Sequence, residues 1–192
     1  MEGFVLCITG ASGSVYGYRA LQELAKSCRV DVIVSEAGRL VMEEELGKGP
    51  EDLKREFPQA VFHDERDLTA PVSSGSVLSA YRAVLVMPCS MSTLASVATG
   101  VNSNLIHRVC EVALKERIRT VLLVREMPYS RVHIENMLRV TEAGALVVPA
   151  SPAFYHRPKS LEDMVNFVVG RVFDLIGVPH ALYNRWKGGG RG

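Results

Sequence analysis

An apolar run, FVLCIT at 4–9, stops at Thr9-Gly10-Ala11-Ser12-Gly13, and an amphipathic stretch begins at once. A strand that ends on a glycine turn ahead of a helix aims backbone N–H groups and a positive helix end at one point. That geometry suits an anion, most often a nucleotide phosphate. Gly10 and Gly13 allow the sharp turn and the close approach of a ligand. The Ser12 hydroxyl can bond a phosphate or the polar edge of a ring. The spacing argues against a dinucleotide site, whose fingerprint is G-x-G-x-x-G. Here the glycines fall at 10, 13 and 17, with Tyr16 where a shifted variant wants its last glycine. The competing reading is a tight turn with no ligand.

Other residues carry chemistry of their own. Ser90, Met91, Ser92 and Thr93 follow Pro88-Cys89, and hydroxyls beside free N–H groups suit a phosphate or a flat polar ring. A helix cap is the alternative. Cys89 has no histidine near it in sequence, so a nucleophile is the weaker reading. Arg125-Glu126 directly follows TVLLV, where a carboxylate can act as general acid or base; an exposed ion pair there would contribute little. Arg108 and Lys115 are seven apart on one helical flank, beside Leu105, Val109 and Val112. Two cations so placed suit a phosphate, or form a solvated flank with Glu111. Arg171 borders the stripe Met164/Val168/Val172/Leu175, where an arginine snorkels or meets an anion. Tyr155, in a proline-flanked loop, offers a hydroxyl to the same anion or packs the loop.

These residues need strands that end at one edge. Near-continuous apolar runs at 4–9, 30–35, 83–88, 120–125 and 145–150 read as strands covered on both faces. Helical patterns lie between them at about 14–27, 37–46, 102–117, 130–142 and 160–176. Ser130 and Ser160 are expected N-caps, Ser160 with Asp163 as a capping box, and Gly144 a helix stop. The alternation predicts an α/β, Rossmann-like doubly wound domain with a mainly parallel sheet and helices on both faces. Ligands of such sheets bind beyond the carboxyl ends of the strands. Ser35-Glu36 closes the second strand there. Residues 1–186 are expected to form a single domain, with 187–192 a flexible glycine-rich tail.

Of the 192 residues 47% are hydrophobic and 22% charged, and the net charge of +1 argues against a polyanion-binding surface. No apolar run is long enough to span a membrane, and the first residues lack a signal-type pattern. Cys7, Cys28, Cys89 and Cys110 form no C-x-x-C pair. The expectation is a reduced cytoplasmic chain with neither disulfides nor a zinc site.

Taken in order, TGASG (9–13), SSGS (73–76), PCSMSTLASVATG (88–100), the helix from Arg108 to Lys115-Glu116-Arg117, VREMP (124–128), HIENML (133–138), PAFYHRP (152–158) and EDMVNFVVGRVFDLIG resemble the UbiX-type flavin prenyltransferases. The resemblance runs over essentially the whole chain. It implies a flavoprotein fold and a homo-oligomer, typically a dodecamer. It implies transfer of a dimethylallyl group from dimethylallyl monophosphate to reduced FMN, at N5 and C6, without a metal. The prenylated FMN then serves UbiD-type decarboxylases.

Carried over by residue, the resemblance places Gly10, Ala11, Ser12, Ser35, Ser90, Met91, Ser92, Thr93 and Arg125 on FMN. Lys115, Tyr155 and Arg171 would grip the prenyl phosphate. Arg108 would join the site across a subunit boundary. Glu126 would move a proton. Glu45 falls at an acidic site position, with Glu43 and Glu44 adjoining it. Leu68 stands where some members carry an aromatic residue near the prenyl group.

Two alternatives share part of this pattern. An FMN-dependent decarboxylase of the phosphopantothenoylcysteine or cysteine-peptide type would carry Pro-Ala-Ser-Ala-Asn-Thr where this chain reads Pro88-Cys89-Ser90-Met91-Ser92-Thr93, and a histidine near the first helix. No histidine precedes His63. A non-catalytic flavin carrier would need the FMN contacts but not Lys115, Glu126 and Arg171. The glycine spacing argues against a short-chain NAD(P) dehydrogenase.

Overall fold

The computed structural model describes residues 2–186. Six parallel strands form one sheet: β1 (Gly3–Ile8), β2 (Arg29–Val34), β3 (Val61–His63), β4 (Tyr81–Cys89), β5 (Arg119–Val124) and β6 (Leu146–Pro149). Their order is β3-β2-β1-β4-β5-β6. The chain steps outward from β1 to β3, then returns to start again at β4 on the other side. That reversal opens a crevice above the carboxyl ends of β1 and β4. Thr9 spans it: its N–H and hydroxyl both donate to the Pro88 carbonyl, at 3.2 and 2.8 Å, and its Oγ1 accepts from the Ser90 N–H at 2.8 Å.

The helices are α1 (Ser14–Leu24), α2 (Glu36–Leu46), α3 (Pro50–Glu56), α4 (Gly75–Leu78), α5 (Met91–Thr99), α6 (Leu105–Lys115), α7 (Arg131–Glu142) and α8 (Leu161–Ile176). Successive strand side chains point to opposite faces. Phe4, Leu6, Ile8, Leu85, Met87 and Leu123 therefore pack beneath α1 and α8, with Leu21, Val169 and Phe173. Val5, Cys7, Val84, Val86, Leu122 and Val124 pack on the other face with Ile106, Val109 and Val140. Both faces are covered, which explains the lack of polar alternation in the strands.

Five strands and five helices stand where the pattern put them, and the sheet is wholly parallel rather than mainly so. Ser130 and Ser160 cap α7 and α8, each with a capping box, and Gly144 turns at φ +106°. The buried face of α8 is broader than the predicted stripe, running through Phe167, Val169, Phe173 and Ile176. The edge strand β3 and helices α3, α4 and α5 carry no expectation from periodicity. β3 has only three residues, and α5 is built from small residues without an apolar stripe. The glycine-rich stretch 187–192 lies outside the described residues.

One buried polar knot sits at the opposite end of the sheet from the crevice. Asp31 on β2 accepts from His63 Nε2 at 2.7 Å, the Tyr81 hydroxyl at 2.8 Å and Arg29 Nε at 3.0 Å. Its side chain is 1% exposed. Burial pushes the Asp31 carboxyl up, but the bonds from His63, Arg29 and Tyr81 hold it below the usual aspartate range. A depressed carboxylate contributes stability that is complete above its unfolded pKa, about 4, and is lost as pH falls below that. Asp31→Ala leaves three donors facing a void, so urea denaturation at pH 7 is expected to show a loss of about 3–5 kcal/mol. The loss should shrink toward pH 3. A pH-independent loss would mean that packing, not the carboxylate, carries the effect.

Candidate active site

The crevice is framed by the first turns of α1, α2 and α5. Gly13 caps α1 at φ +105°, a left-handed conformation that side chains rarely adopt. Gly10 has no such backbone requirement: a Cβ there would lie 2.5 Å from Ala37 Cβ, so close packing on α2 excludes one.

The three helix ends differ in what they already hold. At α1, Glu45 accepts from Gly13 N–H at 3.0 Å and Ser14 N–H at 2.8 Å. Burial pushes this carboxyl up, yet bonds from the Ser12 side chain and from Gly13 and Ser14 hold it below the usual glutamate range. The anion expected at the glycine turn is thus supplied by the protein itself. The geometry also settles the register among Glu43, Glu44 and Glu45. Glu43 pairs with Arg39 at 2.7 Å, Glu44 is exposed, and Glu45 alone faces the turn.

At α2, Ser35 accepts from Gly38 N–H at 3.0 Å, and Glu65 accepts from Glu36 N–H at 2.7 Å. At α5, Ser90 accepts from Thr93 N–H at 3.2 Å, so the cap reading of this segment holds. Its Oγ also lies 3.0 Å from both Ser92 Oγ and Thr93 Oγ1. Among the described residues no acceptor meets the Met91 and Ser92 N–H groups. Of the three helix ends, α5 is the one without a carboxylate, and it carries three hydroxyls. A phosphate fits it.

Arg125 leaves the end of β5 and donates from Nε to the Ser12 carbonyl at 3.2 Å, reaching across β4 to the glycine turn. Glu126 follows it, half-buried, with Oε1 accepting its neighbour's Met127 N–H at 3.0 Å. Gly10, Ala11, Ser12, Ser35, Ser90–Thr93, Arg125 and Glu126 therefore stand at the carboxyl ends of β1, β2, β4 and β5, with Glu45 bonded to the turn after β1. Two residues there escaped the sequence reading. Ser14 is fully buried, and its side chain helps to hold the Glu45 carboxyl below the usual range. Tyr16 stands close enough to Arg125 and Glu45 to feel both charges, and burial raises its phenol. Both flank the glycine turn, but a serine and a tyrosine in a helix carry no signal of their own. Cys89 is excluded as a nucleophile: it is fully buried, and burial pushes its thiol well above the usual value.

The remaining predicted residues lie elsewhere. Lys115 ends α6, four residues before β5 begins, where its ammonium meets Glu116 at 3.3 Å. Arg125 is at the far end of that strand, about 20 Å away at the usual rise per residue. Arg108 is held on α6 by Glu111 at 2.6 Å and by the Ser73 carbonyl at 3.3 Å. Tyr155 follows β6 and packs edge-on against Phe167 and Trp186, both at 5.7 Å. Arg171 projects from α8, 47% exposed, with Nη1 2.8 Å from Asp174. Among the described residues none of these four hydrogen-bonds to the glycine turn or to the start of α5. Leu68 is half-exposed in the 64–70 loop.

A doubly wound parallel sheet with a phosphate-ready helix end at its switch point defines a nucleotide- or flavin-binding α/β protein. The family model for Flavoprotein matches residues 2–173. A flavin prenyltransferase UbiX of Aquifex aeolicus is 51% identical over 98% of this chain and 100% of its own. A crystal structure of AnUbiX in complex with FMN and dimethylallyl pyrophosphate superposes with a TM-score of 0.92 at 37% identity, covering 97% of this chain and 98% of that one. A dodecameric FMN-dependent UbiX-like decarboxylase from Escherichia coli O157:H7 gives 0.92 at 35% identity, covering 97% and 100%. The chain belongs to the flavoprotein family and, within it, to the UbiX flavin prenyltransferases.

Proposed function

We propose that this chain joins reduced FMN to a dimethylallyl group, with dimethylallyl monophosphate as donor. The observation that carries the reading is the unequal state of the three helix ends. α1 and α2 already hold Glu45 and Glu65, while α5 offers Ser90, Ser92, Thr93 and two free N–H groups. FMN places its phosphate at α5 and its ring toward the glycine turn, where Ser12, Arg125, Glu126 and Glu45 converge.

N5 of reduced FMN would bond C1′ of the donor as the C1′–O bond breaks with its electron pair leaving on phosphate and the N5 proton is lost; C6 would then bond C3′ as the donor's double bond takes up a proton at C2′ and C6 gives up its own. Lys115, Arg171 and Arg108 neutralise that departing charge, and Tyr155 donates its hydroxyl to it. Glu126 takes the proton released at C6, or protonates the phosphate as it leaves. Because none of these four hydrogen-bonds to the crevice residues of its own chain, and Lys115 stands at the amino end of β5, other copies supply them. Met127, Tyr129, Val132, Ile134 and Leu138 leave an apolar patch exposed along α7 and the segment before it. A patch of that kind supports burial between copies in a closed homo-oligomer, as in the dodecameric relative. The product passes to a UbiD-type decarboxylase. No helix of the described residues is long and apolar enough to cross a membrane.

Incubation with reduced FMN and either dimethylallyl monophosphate or the pyrophosphate tests this, read by flavin spectrum and mass. The expected product is a flavin heavier by one C5H8 unit, with phosphate released from the monophosphate. An unmodified flavin together with carbon dioxide from a cysteinyl carboxylate would favour the FMN-dependent decarboxylase. FMN binding with neither product would favour a carrier.

A further inference from the structure

α8 carries a polar cluster that the crevice does not use. Asp174 Oδ2 accepts from the Tyr183 hydroxyl at 2.5 Å and from Arg171 Nη1 at 2.8 Å. Its Oδ1 meets His180 Nε2 at 3.0 Å and also accepts from Arg185. Three of these partners belong to the segment 178–186, which folds back along α8. Gly170 makes the fold-back possible, since a Cβ there would sit 2.6 Å from Tyr183 and 2.8 Å from His180. The Tyr183 ring lies 4.9 Å from Phe167, which lies 5.7 Å from Tyr155. At the end of the segment, Trp186 packs on Tyr155 at 5.7 Å. One carboxylate thus connects Arg171 to the strap that supports Tyr155.

We propose that Asp174 is a positioning residue for the prenyl phosphate, fixing the Arg171 guanidinium and clamping the strap 178–186 behind Tyr155. The proposal rests on the reading of Arg171 and Tyr155 as phosphate ligands. Asp174 engages Nη1, and among the described residues nothing accepts from Nε or Nη2, so two donors of the fork stay available to an anion. An arginine held in place loses less rotamer freedom on binding than a free one. The cluster remains cationic, because one carboxylate faces two guanidiniums, Arg171 and Arg185. Burial pushes Asp174 up, but Tyr183, Arg185, His180 and Arg171 bring its pKa down to about 2, so the clamp stays ionised at neutral pH.

The test compares Asp174→Asn, Arg171→Ala, the double variant and Tyr183→Phe in the assembled enzyme. It measures KM for dimethylallyl monophosphate, kcat and FMN affinity. Asp174→Asn is expected to raise KM about 10-fold with FMN affinity unchanged, and the double variant to lose less than the two single losses combined, because coupled residues are non-additive. Tyr183→Phe, which keeps the carboxylate, is expected to raise KM about 3-fold, and it decides the matter if Asp174→Asn does not fold. A raised KM in Arg171→Ala with unchanged KM in Asp174→Asn, or in Tyr183→Phe where that variant decides, overturns the positioning role. Fully additive losses overturn it too, since they leave Asp174 with no action through Arg171. Unchanged KM in Arg171→Ala overturns instead the reading of Arg171 as a phosphate ligand, and the proposal with it.

Discussion

Glu126→Gln is expected to lower turnover by roughly 10²–10⁴-fold while leaving FMN affinity unchanged, the usual scale for removing an acid–base group. The substitution isolates proton transfer. Glu126 Oε1 already accepts the Met127 N–H at 3.0 Å, and a glutamine carbonyl can keep that bond and the side chain's shape. What glutamine cannot do is take up a proton. Arg125 stays in place on the Ser12 carbonyl, so the approach of the flavin ring is undisturbed. Single-turnover formation of prenylated flavin, set beside an FMN titration, separates the two quantities. Near-normal turnover would show that the proton goes elsewhere, and Glu45 is then the carboxylate to substitute. A large loss of FMN affinity would instead make Glu126 a ligand of the ring.

The crevice was legible in the sequence because its parts are local. A strand ending on a glycine turn, a strand ending on serines, and a charged pair after TVLLV each announce a strand's carboxyl end. A parallel sheet then gathers such ends at one edge. Alternation of apolar runs with helical periods was enough to specify that sheet. The edge strand β3 was not legible, since three residues beside solvent leave no period to read. Nor was the occupant of α1. Glu45 reaches Gly13 and Ser14 across more than thirty residues of chain, and nothing local separates it from Glu43 and Glu44. Arg108, Lys115, Tyr155 and Arg171 are the instructive case. The ordered motifs named them together, yet the fold scatters them: Lys115 to the amino end of β5, Arg171 to the outer side of α8. Sequence order groups residues that the resemblance assigns to one site without recording where each stands on the fold.

Lys115→Ala is expected to be nearly inactive as a homo-oligomer and to regain activity when assembled together with Glu126→Gln. Loss in the single variant follows from chemistry, since removing a cation from a departing phosphate strips a charge-assisted contact that grows stronger in the transition state. KM rises, and kcat falls with it if phosphate departure limits the rate. The rescue follows from geometry. Lys115 sits about 20 Å along the sheet from Arg125 and Glu126 of its own chain. On the proposed assembly, a site draws Glu126 from one copy and Lys115 from another. In a one-to-one mixture assembled by co-expression, about a quarter of sites receive an intact Glu126 and an intact Lys115, so activity should approach one quarter of wild type. Were both residues to serve the same chain's crevice, every site in the mixture would carry one defect and activity would stay at background. Co-expression with two distinct affinity tags, followed by tandem purification, ensures that only mixed assemblies are assayed. Background activity in those assemblies, with wild-type co-assemblies active under the same tags, would return Lys115 to its own chain and require the lower edge of the sheet to bind the prenyl phosphate by itself.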